Sequence, residues 1–244
     1  MISIIVCSRQ PDITYDLRQN IKYTIGVEYE IIVIDNSLQK YSIAKAYNEG
    51  VSKSNYPILC FMHDDIHFES NNWGLKCLDR FESNEIGAIG LAGSAYVTML
   101  PGPWWKSGFN CQHLYNKVDI SYAPITDNQL PIIVLDGFWM CIRKSLFEQI
   151  KYDEKIFNGF HFYDIDICMQ IHQLGHSIIS VYDIDIIHHS NGKLNMEWQK
   201  FALRFSSKWW KTLPASVKEV SFFDKIKSEF TTLFDYLRIV VKNG

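Results

Sequence analysis

Two carboxylate-bearing stretches and one pair of imidazoles are the groups in this chain best suited to chemistry. The first stretch, His63-Asp64-Asp65, follows Ile58–Met62, a short apolar run with no turn residue inside it. Adjacent carboxylates repel each other and lose hydration when packed in a core. A hard cation placed between them and a phosphate removes that cost, since such ions take oxygen ligands and keep substrate phosphates as partners. Left in water, Asp64 and Asp65 would only cap the next turn. The second stretch, Tyr163-Asp164-Ile165-Asp166, opens a helical pattern over 165–174 that Gly175 closes as a C′ residue. Residues two apart on a helix point in nearly opposite directions, so one of Asp164 and Asp166 faces a given pocket and the other does not. Asp164 stands where an N-cap would, at the positive helix end that favours its ionised form. The plainer reading makes it a cap alone. His188-His189 follows the β-like stretch 184–187. Neighbours on a strand alternate faces, so at most one imidazole joins an inward-facing site.

These groups must be carried by regular elements. Ile2–Cys7 reads as a buried strand opening into Ser8-Arg9, and Asp12 is an N-cap candidate for a helix to about Tyr23. Glu30–Ile34 is a second β-branched run, ending in Asp35-Asn36-Ser37. A helix over 42–51, a third strand over 57–62, a helix over 72–81 and a fourth strand over 86–91 complete the alternation. Strand and helix at this spacing imply βαβ units and a parallel sheet, whose ligands bind beyond the carboxyl ends of the strands. Ser8-Arg9, Asp35-Asn36 and His63-Asp64-Asp65 should therefore converge on one rim.

After Gly93 the period is lost. Residues 93–130 are rich in Gly, Pro and aromatics, with Trp104-Trp105 beside prolines. Loops that long in a compact domain are usually functional or disordered. The tryptophans suit a sugar-stacking or lid surface, or else pack on the sheet. Residues 132–142 read as a strand interrupted by Asp136-Gly137, and 144–150 as a short helix. In the tail, Trp198, Phe201, Phe205, Trp209 and Leu213 recur at helical spacing over 196–212. Ser221-Phe222-Phe223-Asp224 is a capping-box variant opening a last helix. Its stripe of Phe222, Phe223, Ile226, Phe230, Leu233, Phe234 and Leu237 is read as packing or dimerising, ahead of docking on a membrane surface.

The chain of 244 residues can bury a sizeable core, and its net charge of -3 excludes a dedicated nucleic-acid binder. Charge is uneven: from Asn191 onward ten Lys/Arg face five Asp/Glu, a basic tail suited to a membrane surface or an acidic partner. Six scattered cysteines without a CxxC pair favour a reducing compartment. With no signal peptide or spanning run in the sequence, the expected location is cytoplasmic, with peripheral contact at the inner face of the membrane as the variant.

Taken in order, IIVCSR, IIVIDNS, AKAYNEG, FMHDDI, LDGFWM, FYDIDICMQ, IIHHS and FSSKW resemble glycosyltransferase family 2, from Ile2 to about Trp209. The resemblance implies an α/β GT-A (Rossmann-like) fold, with a mostly parallel central sheet flanked by helices. The nucleotide-sugar and catalytic domain would cover 1–192, and a helical C-terminal appendage 193–244. It further implies an inverting, metal-dependent glycosyltransferase of polysaccharide biosynthesis, using a nucleoside-diphosphate sugar, Mn2+ or Mg2+, and a glycan or lipid-linked acceptor. Carried over by position, Ser8 and Arg9 border the nucleotide base, Asp35 bonds the base or ribose, Asn36 and Ser37 shape that pocket, and Lys45 and Asn48 face the nucleotide. Asp65 matches the metal-binding second carboxylate of the family's DxD element. His63 stands where the first aspartate belongs, so His63 or Asp64 takes the nucleotide contact. His188 or His189 is the third metal or diphosphate contact. Asp136-Gly137, with Trp139 nearby, resembles the acceptor-side loop, and Asp164 the catalytic base. Two rival readings stand beside this one. The first is a metallohydrolase built from His63, Asp64, Asp65, Asp164, His188 and His189. The second is a silent nucleotide-sugar-binding module, suggested by the missing first aspartate.

Overall fold

A computed structural model describes residues 1–115, 117–120, 123–189 and 194–243, with the backbone alone for 117–120 and 243. Ser190 and the expected domain boundary at 192/193 lie outside the described residues.

The alternation of the first half is present: β1 (Ile2–Ser8), α1 (Tyr15–Thr24), β2 (Tyr29–Asp35), α2 (Ile43–Lys53), β3 (Ile58–Met62), β4 (Ile66–Phe68), α3 (Trp73–Arg80) and β5 (Ile86–Gly90). Ser42, read from the sequence as the first helical residue, instead caps α2, accepting from the Lys45 N–H. Asp12 does not cap α1. Thr14 holds the extended cap conformation and accepts from the Leu17 N–H, while Asp12 bonds the Ile13 N–H and the Arg18 guanidinium instead.

The second half is more strand-rich than its sequence suggests. Residues 93–130 hold β6 (Ala92–Ser94, which begins one residue earlier), β7 (Tyr96–Val97), β8 (Asn110–Leu114), β9 (Lys117–Ile120) and the first half of β10 (Gln129–Ile132). The interrupted strand over 132–142 resolves into the end of β10, β11 (Val134–Leu135) and β12 (Trp139–Arg143), shared between two sheets. Then come α4 (Tyr163–Gln173), β13 (Ser177–Val181), β14 (Ile186–His188), α5 (Met196–Trp209), β15 (Ala215–Ser216) and α6 (Phe222–Asn243).

Seven strands form the central sheet in the order β10-β13-β5-β12-β3-β1-β2. β1 pairs in parallel with β2 and β3, and β13 with β5, whereas β12 runs antiparallel between β3 and β5. Alternate residues divide the core. Ile5, Leu59 and Phe61 pack with Tyr47 of α2, Ile167 of α4 and Phe201 of α5, while Ile4, Val6, Cys60 and Met62 pack with Leu17 of α1 and Trp73 of α3. Gly50 lets α2 lie directly on Ile5, where a Cβ would collide with that side chain.

The tail divides its work. Trp198, Phe201, Phe205 and Trp209 of α5 are all buried, as their spacing predicts. Asp166, fully buried on α4, accepts from the Trp209 indole N–H at 2.8 Å and meets the Lys208 ammonium at 2.8 Å, tying α4 to α5. α6 packs only part of the expected stripe. Ser228, Thr232 and Tyr236 are buried and Leu233 rests on the core, while Phe222, Phe223, Phe230, Phe234 and Leu237 face outward. The reason is the surface it meets. The loop after β7 presents the Met99 and Leu100 N–H groups, and the Glu229 carboxylate accepts from both, at 2.8 and 2.9 Å. Among the described residues, no helix is long and apolar enough to cross a membrane.

Candidate active site

A short antiparallel ladder brings distant residues together. β14 pairs with β4 so that His188 lies opposite Ile66, and the His189 N–H donates to the Asp65 carbonyl at 3.0 Å. His188 Nε2 then stands 3.4 Å from Asp65 Oδ1, and His63 Nδ1 stands 3.8 Å from the same oxygen. His63, Asp65 and His188 each offer a ligand atom, all within 4.8 Å of one another. One carboxylate and two imidazoles at this separation fit a divalent transition-type cation. His189 is exposed on the other face of its strand, so the pair divides as strand alternation requires, and His63 completes the set in its place.

Around the set lie groups that fix it. His63 Nε2 is 3.1 Å from the Tyr163 hydroxyl, which itself donates to the Gly137 carbonyl at 3.3 Å. That donation leaves the hydroxyl oxygen as acceptor, so the imidazole carries its proton on Nε2 and turns the Nδ1 lone pair toward Asp65. Burial, opposed by the Asp136 carboxylate, holds the His63 pKa below the usual imidazole value, which keeps the ring neutral. His188 stacks on Phe138, with centroids 4.9 Å apart.

The adjacent acids part company. Asp64 turns toward the end of β1, accepting from the Ser8 hydroxyl at 3.2 Å and the Arg9 N–H at 3.1 Å, with the Arg9 guanidinium at 3.4 Å. The rim expected from the sequence is therefore real for Ser8, Arg9, His63, Asp64 and Asp65. Ser8, Arg9, Gln10, Asp12, Ile13, Thr14 and Asp64 line a small hollow of about 170 Å³ there. Asp35, at the end of β2, is exposed, and its pKa is lowered by hydrogen bonds from the Ser37 hydroxyl and N–H. Lys45 is exposed on the first turn of α2, over the Tyr41 ring. Two amides expected at the nucleotide serve the scaffold: Asn36 bonds both backbone groups of Tyr41, and Asn48 both backbone groups of Tyr152.

A cavity of about 450 Å³ opens beside the imidazoles, lined among others by His63, Asp136, Gly137, Asp164, His188 and the two tryptophans Trp104 and Trp105. Asp164 is in the first turn of α4 and is not its cap. Phe162 occupies that place in the left-handed conformation, φ 67°. The Gly137 N–H donates to Asp164 Oδ2 at 2.9 Å. Asp164 is not held ionised by the helix end, as its position suggests. Burial first, then the Asp136 carboxylate, push its pKa up to about 7, against the backbone N–H groups that lower it. As the spacing predicts, Asp166 points away. Gly137 admits Tyr163, whose hydroxyl would overlap a Cβ there.

Two expectations need correction. Trp139 does not reach the cavity. It is fully buried in the core, edge-on to Trp73, because β12 pairs it with Met62 in the middle of the sheet. The six-residue hydrolase set is not assembled either, since Asp64 faces Arg9, Asp164 faces Gly137 and His189 faces outward. Tyr163 and Phe138 went unassigned in the sequence. An aromatic directly before a candidate base, and one after Asp-Gly, were the available signals.

A family model described as glycosyltransferase-like matches residues 3–206. Searching curated proteins gave no match. Three solved structures share the fold at low identity. GalNAc-T7 with UDP, GalNAc and Mn2+ superposes at a TM-score of 0.61 and 12% identity, over 99% of this chain and 56% of that one, so this chain spans little more than half its length. The mannosyltransferase PcManGT of Pyrobaculum calidifontis, in complex with GDP-Man and Mn2+, gives 0.58 and 10%, over 99% and 74%. S. aureus TarS 1–349, in complex with UDP-GlcNAc, gives 0.53 and 12%, over 99% and 72%.

Proposed function

The chain belongs to the glycosyltransferase-like family, and on that premise we propose that it moves a sugar from a nucleoside-diphosphate sugar to an acceptor hydroxyl with inversion, Asp164 serving as base. The observation that carries this reading is the meeting of Asp164, Asp136 and the two imidazoles on one cavity, from segments far apart in the chain.

Ser8, Arg9 and Asp35 border the donor nucleotide at the carboxyl ends of β1 and β2, with Lys45 beyond them. Asn36 and Asn48 serve that site by holding the Tyr41 and Tyr152 backbones. His63, Asp65 and His188 would hold a divalent cation, and two imidazoles suit Mn2+ better than Mg2+. Such a cation, when bound, supplies neutralising charge for the departing diphosphate.

On the acceptor side, the Gly137 N–H orients the Asp164 carboxyl, which takes the proton of the attacking hydroxyl. A carboxyl titrating at about 7 is matched to that task near neutral pH. Trp104 and Trp105 offer aromatic faces for the acceptor, a glycan or lipid-linked sugar such as surface-polysaccharide synthesis uses. With Asp164 taking the acceptor proton, the acceptor oxygen displaces the nucleoside diphosphate directly, in one inverting step.

The test is nucleoside-diphosphate release from a panel of UDP- and GDP-sugars, with and without Mn2+, paired with calorimetric donor binding. Asp164→Asn should keep donor binding and lose transfer. Normal turnover by that variant would refute Asp164 as base, and binding without release by the native chain would leave a silent module.

A further inference from the structure

The strongest feature outside the site is the outer face of α6. Phe222, Phe223, Phe230, Phe234, Leu237 and Val241 are each at least half exposed, from 50% to 82%. At 3.6 residues per turn they fall on one stripe of the helix. Lys227, Thr231, Arg238 and Lys242 form a second exposed row beside it, at spacings of four and seven. The acids of the same helix are engaged elsewhere. Glu229 is taken up by the Met99 and Leu100 N–H groups, Asp235 pairs with Lys106 at 3.4 Å and with Arg238 at 3.8 Å, and Asp224 caps the helix with Ser221. The outward surface is thus apolar and aromatic with a cationic border.

We propose that this face docks α6 flat on an anionic lipid surface, the phenylalanines entering the acyl boundary and the cations meeting the headgroups. A second copy of the chain fits less well. It would bring the same cations, and beyond the capping Asp224 it offers no well-exposed acid on this helix to meet them. A membrane span is excluded by the charge on the helix, which leaves the interfacial arrangement. The inference is independent of the reaction the cavity performs.

The full chain is sedimented with vesicles of phosphatidylcholine alone and of phosphatidylcholine with about one-third phosphatidylglycerol, at about physiological ionic strength. Binding at least about tenfold tighter to the anionic vesicles, and weakened by added salt, is expected. Phe230→Glu with Phe234→Glu should abolish it, with helix content and thermal transition little changed because both residues are more than half exposed. Lys227→Gln with Lys242→Gln should weaken it by about twenty-five-fold, counting about fivefold for each cation. Equal binding to both vesicles, or binding that survives the two glutamates, overturns the proposal. So does the absence of vesicle binding together with a dimer, seen by light scattering, that the two glutamates split.

Discussion

The Asp136–Asp164 pair gives the sharpest test of the site. Asp164 titrates at about 7 against an ordinary value of 3.8, with burial as the first cause and the Asp136 charge as the second. The perturbations are Asp136→Asn, which removes the charge and keeps the shape, and Asp164→Asn, which removes the titrating group. Carbon NMR of carboxyl-labelled aspartate in the metal-free chain should show one carboxyl titrating near 7, absent in Asp164→Asn. In Asp136→Asn it should fall, yet stay above the ordinary range because burial remains. The sign of the stability effect follows from the raised value. Folded Asp164 holds its proton more tightly than the unfolded chain does. The fold therefore loses stability from this group as pH climbs from about 4 through about 7. At about 1.4 kcal/mol per unit, native and Asp164→Asn chains should diverge by about 2–3 kcal/mol between pH 5 and pH 8, the variant gaining. Urea unfolding at both pH values reads this directly. A constant difference, or an aspartate near 7 that ignores Asp136→Asn, would refute the reasoning.

Three further outcomes are expected. His188→Ala and Asp65→Asn should each weaken Mn2+ binding by calorimetry well over tenfold, whereas Tyr163→Phe, which frees the orientation of His63 and releases the Gly137 carbonyl, should cost about tenfold, near the lower end for groups behind a ligand. Trp104→Ala should raise the acceptor KM several-fold with kcat little changed, the split expected when uniform binding is lost. Lys208→Met should destabilise the fold by about 3–5 kcal/mol in denaturant unfolding, because it leaves the Asp166 carboxylate buried with its charge uncompensated.

Much of this was legible in the residues themselves. Parallel strands read as continuous apolar runs, so β1, β2, β3 and their polar ends could be placed, although β2 at the sheet edge is only half-buried, and the rim followed for Ser8, Arg9, His63, Asp64 and Asp65. The stretch after Gly93 hid its strands because they are two to five residues long, too short for a period to emerge. Trp139 misled through its neighbourhood, since two residues past Gly137 it is already inside the sheet. The α6 stripe misled differently. Periodicity says that one face is apolar, but which face finds a partner depended on the unsatisfied N–H groups of a loop about 130 residues upstream. Asp164 does line the cavity, while its titration depends on Asp136, which only the fold brings near.

The reversed strand has a wider consequence. Because β12 runs against β3, the corner entering one is laced to the corner leaving the other: the His63 N–H donates to the Phe138 carbonyl at 3.0 Å. The two halves of the pocket therefore share one hinge-free seam and do not ride on separate lobes. Lengthening the turn at 136–138 by a single residue would slip both walls of the cavity out of register together.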